Sequence, residues 1–273
     1  MAAADKPDTE LDDGRMSFVE HLREFRKRLR NAAIAFLLGT FGSWFFAKEI
    51  YAWIRAPLDG AWAQHSAKLG PDTIMTFSSI VEPFWVYMSV ALWSGVFVSS
   101  PFIFYQIWRF IAPGLYKTER RVGVVFAICS AVFFVGGALF CHYFVLENLF
   151  EYLLRYVDKN TKPNLSMREF LDLARDMMLA FGAVFELPIL IYFLARIGLV
   201  THRGLWRFNR WFVVIAFIIG AILTPSPDVV SQALMALPMI VLYNISIIVA
   251  YFVTKKRERA PGHTPPPPPD DDD

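Results

Sequence analysis

Long apolar runs alternate with short charged clusters along this chain, and that alternation predicts a bundle of membrane helices. Six runs are bounded by charge: Asn31–Ala47, Pro83–Trp108, Val122–Leu146, Met177–Ala195, Trp211–Leu223 and Val229–Thr254. A spanning helix needs about 20 apolar residues. The first run is short and is expected to continue past Lys48 and Glu49 towards Trp53. The fifth offers thirteen residues before Thr224-Pro225-Ser226-Pro227. That is about 20 Å of helix against a hydrocarbon core of ~30 Å, so it either stops short or thins the bilayer. The fourth is interrupted at its centre by Glu186, and the sixth contains Pro238.

Other periodicities frame these runs. Phe18, Leu22, Phe25 and Leu29 form one apolar stripe at helical spacing, surrounded by His21, Arg23, Glu24, Arg26, Lys27 and Arg28. The stripe predicts a basic amphipathic helix lying at a membrane surface, with Ser17 and Glu20 as its capping box. The loop at 50–82 carries Ala56-Pro57-Leu58, read as a turn, and the loop at 147–176 carries Ser166-Met167-Arg168-Glu169, a second capping box. Pro101 and Pro113 lack a backbone N–H and are expected to bend or stop helices. Three segments result: a disordered tail at 1–16, a membrane domain at 17–254, and a disordered tail at 255–273 that is basic and then rich in Pro and Asp.

Composition agrees with the pattern. Apolar residues make up 55% of the chain and charged residues only 19%, less charge than a soluble domain carries. The formal net charge of +2 is too small to suggest a nucleic-acid partner. The first residues, MAAADKPDTELDDG, have no apolar core, so no cleavable secretory signal is expected. Lys and Arg are unevenly placed. Seventeen lie near the membrane on the side that holds the N-terminus, loops 109–121 and 196–210 and the C-terminal tail. Eight lie on the other side, over longer loops. The positive-inside rule therefore makes both termini cytoplasmic, which six spans allow. Cys129 and Cys141 share one helical run about 18 Å apart, too far for a disulfide.

The sequence shows no nucleophile–base set, metal-ligand spacing or phosphate loop, and its five histidines are scattered. An enzyme, a metal and a cofactor are accordingly not expected. Three carboxylates stand in unusual settings. Glu24 lies in the cationic helix, where it could pair with Arg28 at i,i+4 or accept a guanidinium from another molecule. Glu119 could favour the positive end of a helix that Thr118 caps, or accept a guanidinium. Glu186 lies at bilayer depth, where a carboxylate usually faces a bundle interior, a water-filled cavity or a polar partner. From residues alone, a proton-coupled small-solute carrier using Glu186 is an open alternative, although no repeat pair supports it.

The segment YQIWRFIAPGLYKTERR at 105–121 resembles the TatC family, the multispanning core of the twin-arginine protein translocase. So do HLREFRKRL at 21–29, APL at 56–58, FGAVFELPI at 181–189 and LTPSPDVVSQALMALPM at 223–239. The resemblance covers roughly residues 17–255. It implies a concave bundle with short last two spans in the bacterial cytoplasmic membrane. It implies recognition of twin-arginine signal peptides at the cytoplasmic face by Glu24 and Glu119, with Arg26, Phe110 and Arg120 beside them. It implies recruitment of single-span TatA- and TatB-type partners, with Glu186, Gln232 and Asp228 as intramembrane polar contacts, in hetero- and homo-oligomers. Folded cargo would move outward on the proton-motive force. Ser78-Ser79-Ile80-Val81-Glu82-Pro83 stands where members often have an acidic or Pro-Thr-Glu-type element, Ser89 replaces a common lysine, Asn244 a common glutamate, and Pro225-Ser226-Pro227-Asp228 is one residue longer than the usual Pro-Pro-Asp.

Overall fold

The computed structural model describes residues 18–70, 74–111, 120–158, 163–224 and 228–258. Ten α-helices lie among them. They are α1 (Phe18–Trp44), α2 (Ala47–Gln64), α3 (Ser66–Leu69), α4 (Glu82–Ile111), α5 (Arg120–Phe140), α6 (Glu147–Leu154), α7 (Met167–Phe185), α8 (Leu187–Ile197), α9 (His202–Leu223) and α10 (Val229–Glu258). A π-helical segment, Cys141–Leu146, joins α5 to α6 without a break. Two short strands, β1 (Met75–Thr76) and β2 (Leu165–Ser166), pair in parallel and tie the two long loops together. Five helices or continuous helix runs are long and apolar enough to cross a membrane, and α1 with α2 makes a sixth if that bent pair is one span.

Several boundaries differ from those expected. The cationic stripe and the first apolar run are one helix of 27 residues, α1, rather than two. The run also does not reach Trp53. The chain turns after Trp44, where Phe46 N–H donates to Ser43 C=O at 3.1 Å, and α2 leaves at 83°. Burial explains the turn: Tyr51, Ile54, Leu58, Ala61 and Trp62 make one buried stripe on α2. Trp53 stacks on His142 in the π-helical segment, with ring centroids 3.9 Å apart. The last two spans are not short as helices. Thr201 caps α9 by accepting the Gly204 N–H, so α9 has 22 residues, and α10 has 30. Flanking charge had hidden the first nine residues of α9, from His202 to Arg210. Past the expected end at Thr254, α10 runs on to Glu258. The Ser166 cap forms as read, accepting the Glu169 N–H at 3.4 Å, whereas Ser17 lies outside the described residues.

The prolines do not make the expected turns. Pro57 is buried inside α2, and Pro101 lies inside α4. A proline inside a helix frees the carbonyl four residues earlier. For Pro101 that carbonyl belongs to Phe97, and the Ser100 hydroxyl donates to it at 2.7 Å. In lipid a freed backbone group needs such a partner, and Ser side chains supply it. At Pro57 the buried stripe of α2 holds the helix through the defect. Pro113 lies outside the described residues. Pro188 does interrupt its span: α7 ends at Phe185, Glu186 is the hinge, and α8 restarts with the proline in its first turn.

Helices pack where small residues let backbones approach. An added Cβ on Gly95 of α4 would lie 2.7 Å from the Thr40 N of α1. On Gly137 of α5 it would lie 2.6 Å from the Phe181 O of α7, and on Gly182 of α7 it would lie 2.8 Å from the Phe134 ring. Partner numbers fall on α4 as they rise on α1 (Phe25 with Phe110, Gly39 with Gly95), so these two run antiparallel. The same holds for α9 and α10, where Tyr243 donates to Leu205 C=O and Gly220 meets Gln232. The beginnings of α1, α5 and α9 therefore share one end of the bundle with the ends of α4, α8 and α10. Gly95→Val should destabilise the detergent-solubilised protein by about 1–3 kcal/mol through overpacking. Gly42→Val, where nothing lies within 4 Å of an added Cβ, is the matched control and should cost far less in a thermal-unfolding assay.

Candidate functional site

At the end of the bundle where α1 begins, α1 and α4 build one polar-aromatic cluster. Glu24 and Arg28 are one turn apart on α1, and Arg28 donates through Nε, at 3.1 Å, and Nη2 to Glu24 Oε1. Arg28 Nη1 also reaches Gln106 Oε1 of α4, at 3.4 Å. Both side chains are largely shielded, with Arg28 14% and Glu24 19% exposed. Phe110, one turn beyond Gln106, stacks on His21 at 4.5 Å and tilts against Phe25 at 5.4 Å. The helical repeat explains the grouping: 21, 24, 25 and 28 share one face of α1, as 106 and 110 share one face of α4. Glu24 thus makes the i,i+4 pair that spacing allowed, while its Oε2 is buried and has no hydrogen-bond partner among the described residues. Arg26 is exposed on α1. Glu119 lies outside the described residues, and Arg120 opens α5.

The second polar point is the hinge between α7 and α8. Glu186 is half-buried there. Its Oε1 is buried without a hydrogen-bond partner among the described residues. Two apolar grooves of about 510 Å³ each meet the chain on either side of this hinge. Cys129, Phe133, Pro188, Ile189 and Tyr192 line one; Phe140, Phe144, Phe185, Leu234 and Pro238 line the other. Glu186 therefore sits between two concave apolar surfaces. Both cysteines are free, Cys129 exposed and Cys141 buried.

The third group lies before and in the first turn of α10. Asp228 Oδ1 accepts the N–H groups of Val230 and Ser231, each at 2.9 Å, so its geometry is that of a helix cap. Gln232 follows one turn on, its backbone packed against Gly220 of α9. Where the sequence comparison had marked Asn244, its Oδ1 accepts from Asn209 of α9 at 3.4 Å, and its Nδ2 donates to Ile240 C=O at 2.8 Å.

Three contributors escaped sequence reasoning: Gln106, Trp108 and Ser130. Gln106 is a buried amide in an aromatic run, and Ser130 is a fully buried hydroxyl in an apolar one. An isolated polar residue inside an apolar run was the available signal in both cases. Trp108 was only the end of the second apolar run, yet its Nε1–H donates to Ser130 Oγ at 2.9 Å.

The fold and these sites define a multispanning helical membrane protein with two separated carboxylate sites and no metal-binding group among the described residues. The family described as Sec-independent protein translocase protein (TatC) matches residues 20–238. A TatC protein of Koribacter versatilis is 38% identical over 244 residues, covering 89% of this chain and 88% of its own length. One from Aquifex aeolicus is 36% identical over 245 residues, covering 89% and 98%. A crystal structure of the twin-arginine translocase receptor TatC superposes with a TM-score of 0.74 at 36% identity, over 86% of this chain and all of that one. This chain belongs to the TatC family. It is a multi-pass protein of the bacterial inner membrane and a component of twin-arginine protein translocation, not an enzyme in the catalytic sense. Asp228→Ala should lower stability by about 1 kcal/mol through loss of the α10 cap, measured by thermal unfolding in detergent.

Proposed function

We propose that this chain is the signal-recognition subunit of its translocase, and that the α1–α4 cluster is part of the surface that reads the arginine pair of a signal peptide. The observation that carries this is the unfilled oxygen of Glu24 beside a guanidinium already held on the other. A carboxylate presents two oxygens, and a guanidinium is a planar fork that binds carboxylates side by side. A lysine ammonium is a point charge and cannot reproduce that geometry. Glu119, the residue before α5 in sequence, is the second carboxylate of this reading, with Arg26, Phe110 and Arg120 as its further members.

The excess of Lys and Arg at this end places it in the cytoplasm. Glu186, Gln232 and Asp228 supply polar contacts to single-span TatA- and TatB-type partners inside the membrane, in hetero- and homo-oligomers, and transport draws on the proton-motive force. The small-solute carrier reading rested on Glu186 alone, and membership of a protein-translocation family gives it no support.

Glu24→Gln and Glu119→Gln should each weaken binding of a twin-arginine signal peptide by about 1.5–3 kcal/mol, roughly 10–100-fold, with less effect on a twin-lysine control. Binding to the purified, folded protein measures this. If both variants still discriminate between the peptides like the parent, the recognition site lies elsewhere. Orientation has its own test. In a Cys129- and Cys141-free background, single cysteines at Gly60 and Asn160 should react with an impermeant thiol reagent from outside intact cells. Cysteines at Gly114 and Gly204 should not, and external labelling of Gly114 would overturn the topology.

A further inference from the structure

At the end of the bundle opposite the Glu24–Arg28 cluster, the first turns of α4 and α7 enclose a pocket of about 640 Å³. The helical repeat builds it. Glu82, Trp85 and Ser89 share one face of α4, and Arg168, Asp172 and Arg175 share one face of α7. Depth follows from the length of α4. Glu82 precedes Gln106 on that helix by about 36 Å of helical rise, and the hydrocarbon core is ~30 Å thick. With the Arg28–Gln106 contact at one membrane boundary, the pocket lies at headgroup level at the other. Its rim is apolar: Ile80 is 92% exposed, and Phe77, Val81, Phe84 and Trp85 are exposed around it. An exposed Trp among apolar side chains suits the interface between acyl chains and headgroups.

The lining carries two charges of each sign, and they are not equally engaged. Arg175 is 20% exposed and enclosed, with Asp172 at 2.7 Å, Asp176 at 2.8 Å and its guanidinium 5.3 Å from the Trp93 ring centroid. Arg168 is 75% exposed, and its approach to Asp172 is a loose 3.8 Å. Glu82 takes the Ser78 N–H at 2.6 Å on Oε2, and its Oε1 accepts from no described residue. One guanidinium and one carboxylate oxygen are thus left to meet a ligand across the pocket. Because the four lining charges cancel, a simple anion gains no net attraction there. A ligand with both charges gains two contacts.

We propose that this pocket holds the headgroup of a zwitterionic aminophospholipid of the ethanolamine type, with its phosphodiester on Arg168 and its ammonium on Glu82. A guanidinium fork binds phosphate oxygens in pairs, and an ammonium brings N–H donors that a carboxylate accepts. The acyl chains leave over the apolar rim, which a water-soluble ligand would not need. On the topology proposed above the lipid belongs to the outer leaflet. The site is separate from signal recognition and does not rest on that reading.

Native mass spectrometry of the delipidated, full-length protein, without signal peptide, tests this. Dioleoyl phosphatidylethanolamine, phosphatidylcholine and phosphatidylglycerol are added separately at equal concentration. The parent should retain the ethanolamine lipid about threefold to tenfold better than either other, because choline has no N–H and glycerol no positive charge. Glu82→Gln, whose amide oxygen can still accept the Ser78 N–H, should erase the preference over phosphatidylcholine. Arg168→Gln should lower retention of all three lipids about threefold to tenfold. Arg155→Gln, an exposed arginine paired with Glu151 outside the pocket, should bind like the parent. Equal retention of the three lipids by the parent would mean unselective annular contact and would overturn the proposal. Parental retention in both Glu82→Gln and Arg168→Gln would also overturn it, as would an equal loss in Arg155→Gln.

Discussion

Close backbone approach at a few glycines is the constraint on which the rest of this bundle depends. Lipid is as apolar as leucine, so burying side chains between helices gains little from the hydrophobic effect. What holds one helix against another is packing density, and that needs small residues at the crossing. Gly95 against Thr40 sets the separation of α1 and α4; Gly137 and Gly182 set that of α5 and α7. Many of the large apolar side chains, among them Leu37, Leu38, Phe41, Val132 and Ile218, point outward, as they would not in water. With α1 and α4 fixed at their crossing, the Arg28 guanidinium comes within reach of Gln106, and Phe110 comes to rest on His21. The α1–α4 polar-aromatic cluster is thus a by-product of a contact three turns away.

The bilayer imposes a second demand: every backbone polar group inside it must be satisfied locally. The structure meets that demand differently at two prolines. At Pro101 the Ser100 hydroxyl fills the freed carbonyl of Phe97, and α4 continues to Ile111. At Pro188 the helix stops, turns through Glu186 and restarts. The first solution gives one continuous helix that runs from the loop side to the Glu24–Arg28 cluster. The second exposes a carboxylate at the point where the helix is already interrupted, so the polar side chain and the broken ladder share one location. Concentrating both there leaves the apolar faces of α5 and α10 unbroken beside the two grooves.

Charge-bounded apolar runs carried most of the fold. They located the second to sixth spans, and the family motifs pointed to Glu24, Glu119 and Glu186. Periodicity failed where tertiary burial overrode it. It split α1 in two at Arg30 because charge interrupts the apolar pattern, although a helix has no need to stop where its surroundings change from water to lipid. It carried the first run towards Trp53 because composition does not record an 83° turn. It read Pro57 and Pro101 as turns because the remedy for a helical proline, a serine hydroxyl or a buried stripe, is a matter of neighbours. The site was legible in its carboxylates but not in their supports. Ser130 and Gln106 are ordinary residues by sequence and become informative only when α5 and α1 lie beside α4.

That difference has a physical reason. A carboxylate in an apolar setting costs several kcal/mol on insertion scales, so its presence alone signals use. A serine or an indole costs little in the same place, because each can be satisfied by one hydrogen bond. Inexpensive polar groups can therefore be placed wherever geometry wants them without leaving a trace in composition. In this chain Gln106 reaches the guanidinium that holds Glu24, and Ser130 takes the Trp108 indole N–H between α4 and α5. Gln106 and Trp108, which donates to Ser130, are two residues apart on α4 and face opposite sides of it. A helix that continues past Pro101 lets two residues so close in sequence contact different neighbours. The Arg28–Gln106 and Trp108–Ser130 contacts then share one helix, so a shift of the end of α4 would disturb both.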